Sequence, residues 1–189
     1  MKSLGTLFLS LSLVLIFAED AVAKKDNRSE PTVERKQVVV KTRGVVCSFC
    51  ARGAEKALSN IPGLNSELYG DGIKIDIERN EFTLVMEPGA EFPFQEIFER
   101  IKKGGYDAVA VYLRIRGRLE RKQGVSLIKN IDNGQVFSLT GEQVAELSTD
   151  ADIDIQGHFD ARKIPSFKEG APVEVIVDKV LPSERKSDD

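Results

Sequence analysis

A chain of 189 residues with 27 Lys and Arg against 30 Asp and Glu carries a formal charge of only −3 at pH 7. That near-balance excludes a general binder of nucleic acid or anionic membrane, which needs a basic excess. Two cysteines and one histidine in the whole chain leave too few soft ligands for a closed tetrahedral zinc site and little for general acid–base catalysis.

The chain opens like an export signal. Lys2 supplies a positive start, Leu4 to Phe17 is an apolar run, and Ala21-Val22-Ala23 is a small-x-small cleavage site. A spanning helix needs about 20 apolar residues, and this run has about 14, so residues 1–23 read as a cleaved signal peptide rather than an anchor. The expected location is periplasmic or secreted, with no membrane insertion after cleavage. Residues 24–36 are polar, without apolar period, and read as a flexible tether.

From 37 to 113 the pattern is β-α-β-β-α-β. Val38, Val40 and Thr42 alternate on a strand; Cys50, Ala54, Ala57 and Ile61 share a helical face that Pro62-Gly63 ends. Ile73, Ile75, Ile77 and then Phe82, Leu84, Met86 alternate as two strands joined by a short polar turn. Pro93 suits a first helical turn, Phe94, Ile97, Phe98 and Ile101 form a stripe, and Gly104-Gly105 stop it. Val109, Val111 and Leu113 return as a strand. Two split βαβ units of this kind predict a ferredoxin-like sandwich, a four-stranded sheet with both helices on one face.

Residues 114–182 turn to short strands, with Asp132-Asn133-Gly134-Gln135 as a hairpin signal and a helical turn near 141–147. Five strands with one small helix after the third predict a small all-β barrel of the OB-like type. The fold class is therefore α+β. No Pro- or Gly-rich linker separates the halves, so the last strand of the first is expected to run into the first strand of the second. Residues 183–189 read as a disordered tail.

Chemistry concentrates in Gly44-Val45-Val46-Cys47-Ser48-Phe49-Cys50. Two thiols at this spacing share a soft metal ion, cycle between dithiol and disulfide, or form a structural bridge. Cys47 falls in the loop after the first strand and Cys50 in the first helical turn, where unpaired N–H groups and the helix dipole favour thiolate. Two thiolates suit Cu(I) or Hg(II), one ion per chain. In an oxidising compartment the pair must be kept from oxidising to stay loaded. A bridge enclosing two residues constrains the unfolded chain little, which speaks against a staple.

With these residues in view, segment 37–113 resembles the heavy-metal-associated domain family, whose members include copper chaperones and the periplasmic mercuric-ion-binding protein. The family motif Gly-Met-x-Cys-x-x-Cys is matched here except for Val45 in place of Met. Ile61-Pro62-Gly63-Leu64 matches the family's helix stop, and Gly105-Tyr106 its Gly-aromatic turn. The resemblance implies that Cys47 and Cys50 are the metal thiolates and that Tyr106 packs beside and shields them. It implies that Val45 fills the space under the loop that Met usually occupies. It also implies a metal donor or acceptor protein as partner, a membrane transporter among the candidates.

The remaining features point to binding rather than catalysis. Val45, Val46 and Phe49 are a docking face or plain loop packing; Arg52 and Lys56 steer an acidic partner or face solvent. Arg114, Arg116 and Arg118 alternate as a basic stripe, though acidic and basic residues balance over 114–186, and aromatics for base stacking are few. His158 reads as a surface or barrel-lining residue and Met86 as core. The reading is a non-enzymatic soft-metal binder of chaperone or scavenger type that does not bind nucleic acid. A periplasmic dithiol–disulfide protein is the alternative, and an adaptor without metal a third.

Overall fold

A computed structural model describes residues 30–45, 47–149, 151–166 and 171–182. The signal peptide, most of the tether, Val46 and the C-terminal tail lie outside the described residues. The chain is mixed α+β, built on a sheet that closes at one end into a five-stranded barrel.

The first six elements run β1 (Gln37–Arg43), α1 (Ser48–Leu58), β2 (Ile73–Asp76), β3 (Glu81–Val85), α2 (Phe94–Lys103) and β4 (Asp107–Lys122). The strands lie in the order β2-β3-β1-β4, each antiparallel to its neighbour. Register places Val38 beside Leu84 and Leu113, and Val40 beside Phe82 and Val111. Alternation therefore puts these six on one face, where they join Ala54 and Leu58 of α1 and Ile97 and Ile101 of α2 in the core. Helix α1 is shorter than its apolar stripe suggests. It ends at Leu58, and Ile61 enters the core from the turn that follows, its amide bonded to the Leu58 carbonyl.

Strand β4 does not stop at residue 113. It continues for 16 residues, pairing with β1 through its first half and with β5 (Val125–Asn130) through its second. Strands β6 (Val136–Thr140), β7 (Asp152–Asp160) and β8 (Val173–Leu181) complete the barrel in the order β4-β5-β6-β8-β7, closed by β7 on β4. Among the described strands only β6 and β8 pair in parallel. A 3-10 turn over Glu142–Glu146 follows β6, and a second, over Ala161–Ser166, follows β7. The second has no apolar period to mark it in the sequence.

Because β7 also pairs with Ala110 to Leu113, the barrel extends the first sheet past β4. Phe94 of α2 packs edge-on against Phe159 and Phe137, with ring centroids 5.1 Å and 6.3 Å away. The buried side chains of both halves form one continuous cluster.

The end of the expected tether is packed rather than free. Pro31 and Val33 are buried, and the Gln156 side chain donates to the Pro31 carbonyl at 2.9 Å while accepting from the Val33 amide. The basic stripe is also partly spoken for. Arg114 makes a bidentate pair with Asp154 at 2.8 and 2.7 Å, and Arg118 lies 3.8 Å from Asp152. These cross-strand pairs follow from the β4–β7 register: Arg114 is tied into the sheet, while Arg118 stays largely exposed.

Candidate functional site

The loop after β1 is shaped by Gly44, whose φ of +100° an L side chain rarely adopts. That turn sends Val45 inward, where it is 1% exposed and part of the core. Valine thus occupies the space under the loop. Phe49, by contrast, points outward at 88% exposure, so of these two apolar loop residues one packs and one is presented.

Cys47 is the N-cap of α1, in extended conformation (φ −155°, ψ 164°). Its Sγ accepts from the Cys50 amide at 3.3 Å, filling the role that a Ser or Asp oxygen usually takes at this position. Cys50 sits three residues on, within the first turn, and the two Sγ atoms are 2.8 Å apart with neither in a disulfide. No acidic side chain stands in the first turn of α1, so nothing there competes for the positive end of the helix.

The Cys50 thiol first and then the Cys50 amide hold the Cys47 thiol below its ordinary range, opposed by burial and helped last by the Phe49 amide. Both chemical and geometric features therefore favour a thiolate at Cys47.

Tyr106 closes the site from beneath. Its hydroxyl donates to the Cys50 carbonyl at 2.7 Å, and its ring, 9% exposed, meets Phe82 edge-on at 6.0 Å. Burial first, then the charges of Cys50 and Cys47, push the phenol above its usual range, which keeps it a donor. Gly44, Gly53 and Gly104 all approach this ring: a Cβ on them would lie 3.6 Å, 3.9 Å and 3.0 Å from it or its hydroxyl. The structure brings Cys47, Cys50, Val45 and Tyr106 together. The Cys50 carbonyl and the left-handed Gly44 are the parts that sequence reasoning passed over, and a glycine directly after a strand was the available signal for the second.

His158 takes no part. It lies on β7, its Nδ1 2.6 Å from Asp178 and its ring tilted against Tyr112. Met86 is buried in the core. Among the described residues, no three His, Cys, Asp or Glu side chains converge as a metal cage.

No protein-family model matches the chain, and no curated protein matches it. Solved structures that match it in part include the CopZ metallochaperone, with 23% identity over 39% of this chain and 98% of that one, at a TM-score of 0.33. The N-terminal domain of PacS from Synechocystis PCC6803 matches at 19% identity over 38% of this chain and 91% of its own, at a TM-score of 0.31. The N-terminal soluble domains of Bacillus subtilis CopA match at 24% identity over 48% of this chain and 55% of theirs, at a TM-score of 0.33.

Proposed function

We propose that this chain is an exported, non-enzymatic soft-metal binder of chaperone or scavenger type. Cys47 and Cys50 would hold one Cu(I) or Hg(II) as cargo, to be exchanged with a donor or acceptor protein such as a membrane transporter. The observation that carries this reading is the Cys47 cap. Its sulfur rests on the Cys50 amide, so both thiols stand at the positive end of α1, one of them exposed. Two sulfurs on opposite sides of one ion must stand farther apart than the 2.8 Å of the free pair, so loading would move the exposed Cys47 side chain outward. Phe49 beside it gives an incoming protein an apolar contact, and ligand exchange through mixed thiolate intermediates passes the ion on.

We read residues 37–113 as a ferredoxin-like unit and residues 114–182 as an OB-like barrel. The strand orders β2-β3-β1-β4 and β4-β5-β6-β8-β7, with one parallel pair in the second, support these readings. The barrel would position the metal unit and not bind nucleic acid.

Competition titration of the reduced protein with Cu(I), Hg(II) and Zn(II) tests the reading. One Cu(I) or Hg(II) should bind per chain in preference to Zn(II), and Cys47→Ser or Cys50→Ser should each remove tight uptake; undiminished uptake in either variant would refute it. The 2.8 Å approach of the thiols favours dithiol–disulfide exchange as a second reading. There the Cys47 thiolate attacks a partner disulfide, and Cys50 then displaces the partner thiol, two protein thiols giving one disulfide as the partner's disulfide becomes two thiols. A reduction potential in the range of exchange proteins, without tight metal uptake, would select it.

A further inference from the structure

His158 is the chain's single histidine, and the proposed metal site leaves it unused. Ile155 and Phe159 of β7 belong to the core, so alternation turns Gln156 and His158 to the outer face. There His158 stands opposite Tyr112 of β4 and Ile176 of β8. The β7–β8 register jumps at this point, for Gln156 pairs with Lys179 but Gly157 with Val177. Asp178 is the extra residue of a β-bulge, a device that re-aims a side chain. A Cβ on Gly157 would lie 2.5 Å from the Ile176 carbonyl oxygen, so glycine is needed for this close approach. The bulge brings Asp178 to His158, Oδ1 standing 2.6 Å from Nδ1. The Asp178 side chain is 8% exposed, and its Oδ2 is buried with no hydrogen-bond partner among the described residues. Nδ1 carries the proton of the short bond, so Nε2 is the atom that gains or loses one.

Two residues before His158, on the same face, Gln156 holds the segment 30–33. Its side chain donates to the Pro31 carbonyl and accepts from the Val33 amide, which keeps the exposed Glu30 beside the dyad. Burial first, then the charges of Asp178, Glu30 and Glu81, push the Tyr112 phenol above its usual range. Burial also leads in pushing the Asp178 carboxyl up; His158 opposes this, Glu30 adds to it, and Lys179 opposes it last.

We propose that His158 and Asp178 form a proton-operated latch that grips segment 30–33 more tightly when the imidazole is protonated. With a neutral ring the dyad carries one net negative charge, set in a poorly screened site, and this charge repels Glu30. A proton taken up at Nε2 brings the dyad to zero net charge and ends the repulsion. The groups around the dyad are Tyr112 on β4, Asp178 and Lys179 on β8, and Glu30 on the segment, with Glu81 of β3 beyond Tyr112. On β7 itself Asp160 is paired with Arg162 and Asp154 with Arg114, so both carboxylates already have cations of their own. The latch lies on the barrel and is independent of the thiols.

NMR of the purified chain from about pH 8 to about pH 5, the interval in which imidazole is the ordinary side chain to change charge, tests this. A lone histidine gives one unambiguous ring titration. The Val33 amide and the Gln156 side-chain amide should shift with the same midpoint as the ring. Protection of the Val33 amide, corrected for intrinsic exchange, should rise about two- to fivefold toward acid, the scale of a partly exposed charge pair. Glu30→Gln, at an exposed position, should keep the ring titration and remove the response at Val33. His158→Gln, whose amide can still donate to Asp178, should hold Val33 at its lower, alkaline protection throughout. A ring that keeps one charge across the interval, a Val33 amide indifferent to pH while the ring titrates, or a response that survives in either variant would overturn the proposal.

Discussion

The Tyr106 hydroxyl donates to the Cys50 carbonyl at 2.7 Å across 56 positions of sequence. The turn after α2 is thereby fastened to the residue that carries one of the two thiols. The same carbonyl lies in the first turn of α1, so the bond fixes the helix end that orients both sulfurs.

Tyr106→Phe keeps the ring and removes this bond. A neutral hydrogen bond contributes about 0.5–1.5 kcal/mol net, so the urea midpoint should fall by a corresponding amount with an unchanged slope. Metal capacity should stay at one ion per chain because neither thiol is lost. A variant as stable as the parent would show that the bond holds nothing in place.

Cys47 should titrate below the ordinary thiol value of 9.0. Its folded-state value is depressed, so its contribution to stability is complete above the unfolded value and is lost as pH falls through the folded one. Stability of the reduced, metal-free protein should therefore rise with pH toward 9. Cys50→Ala removes the largest cause and should move the Cys47 titration, read from alkylation rates, upward but not fully, since the Cys50 amide remains.

Two glycines near the same ring should respond to alanine with opposite signs. Gly44 has φ +100°, and its added Cβ would meet the Tyr106 ring at an ordinary 3.6 Å. The backbone alone opposes Gly44→Ala, costing more than about 1 kcal/mol. Gly53 lies inside α1 with its Cβ position 3.9 Å from the Tyr106 hydroxyl, so Gly53→Ala should stabilise by roughly 0.5–1 kcal/mol. Equal effects in denaturant titrations would contradict this account.

Gln135 clamps the two halves together: its side chain accepts from the Phe92 amide at 3.1 Å and donates to the Phe92 carbonyl at 3.3 Å. With Phe94 between Phe137 and Phe159, unfolding should be a single transition for the tyrosines, which all precede residue 113, and for amide exchange in β5 to β8 alike. Phe94→Ala should destabilise by about 3–5 kcal/mol and lower both signals together. Separate transitions in the parent chain would mean that the halves fold independently.

Local periodicity carried much of this architecture. Val38 and Val40, Phe82 and Leu84, and Val111 and Leu113 alternate because one face is buried, and that pattern is visible without neighbours. The Cys47 cap was legible in outline because loop and helix meet at that residue. What stayed hidden depends on distant partners. Val33 looks like tether until Gln156, 123 positions away, supplies its bond. The run of β4 past residue 113 was legible, since no Pro- or Gly-rich stretch interrupts it, but that β5 takes over from β1 along one edge there was not.

Arg114 and Asp154 show how register changes the meaning of a residue, and they yield the sharpest stability prediction. Asp154 is 1% exposed and receives two bonds from the guanidinium. Arg114→Ala would leave that carboxylate buried without its partner, at a cost of about 3–5 kcal/mol. Replacing both, as Arg114→Met/Asp154→Leu, removes the stranded charge and should recover most of the loss, because a buried pair contributes little over an apolar replacement of similar volume. Were the arginines an open basic surface instead, Arg114→Ala would leave the denaturation midpoint in place and the double variant would be the worse of the two.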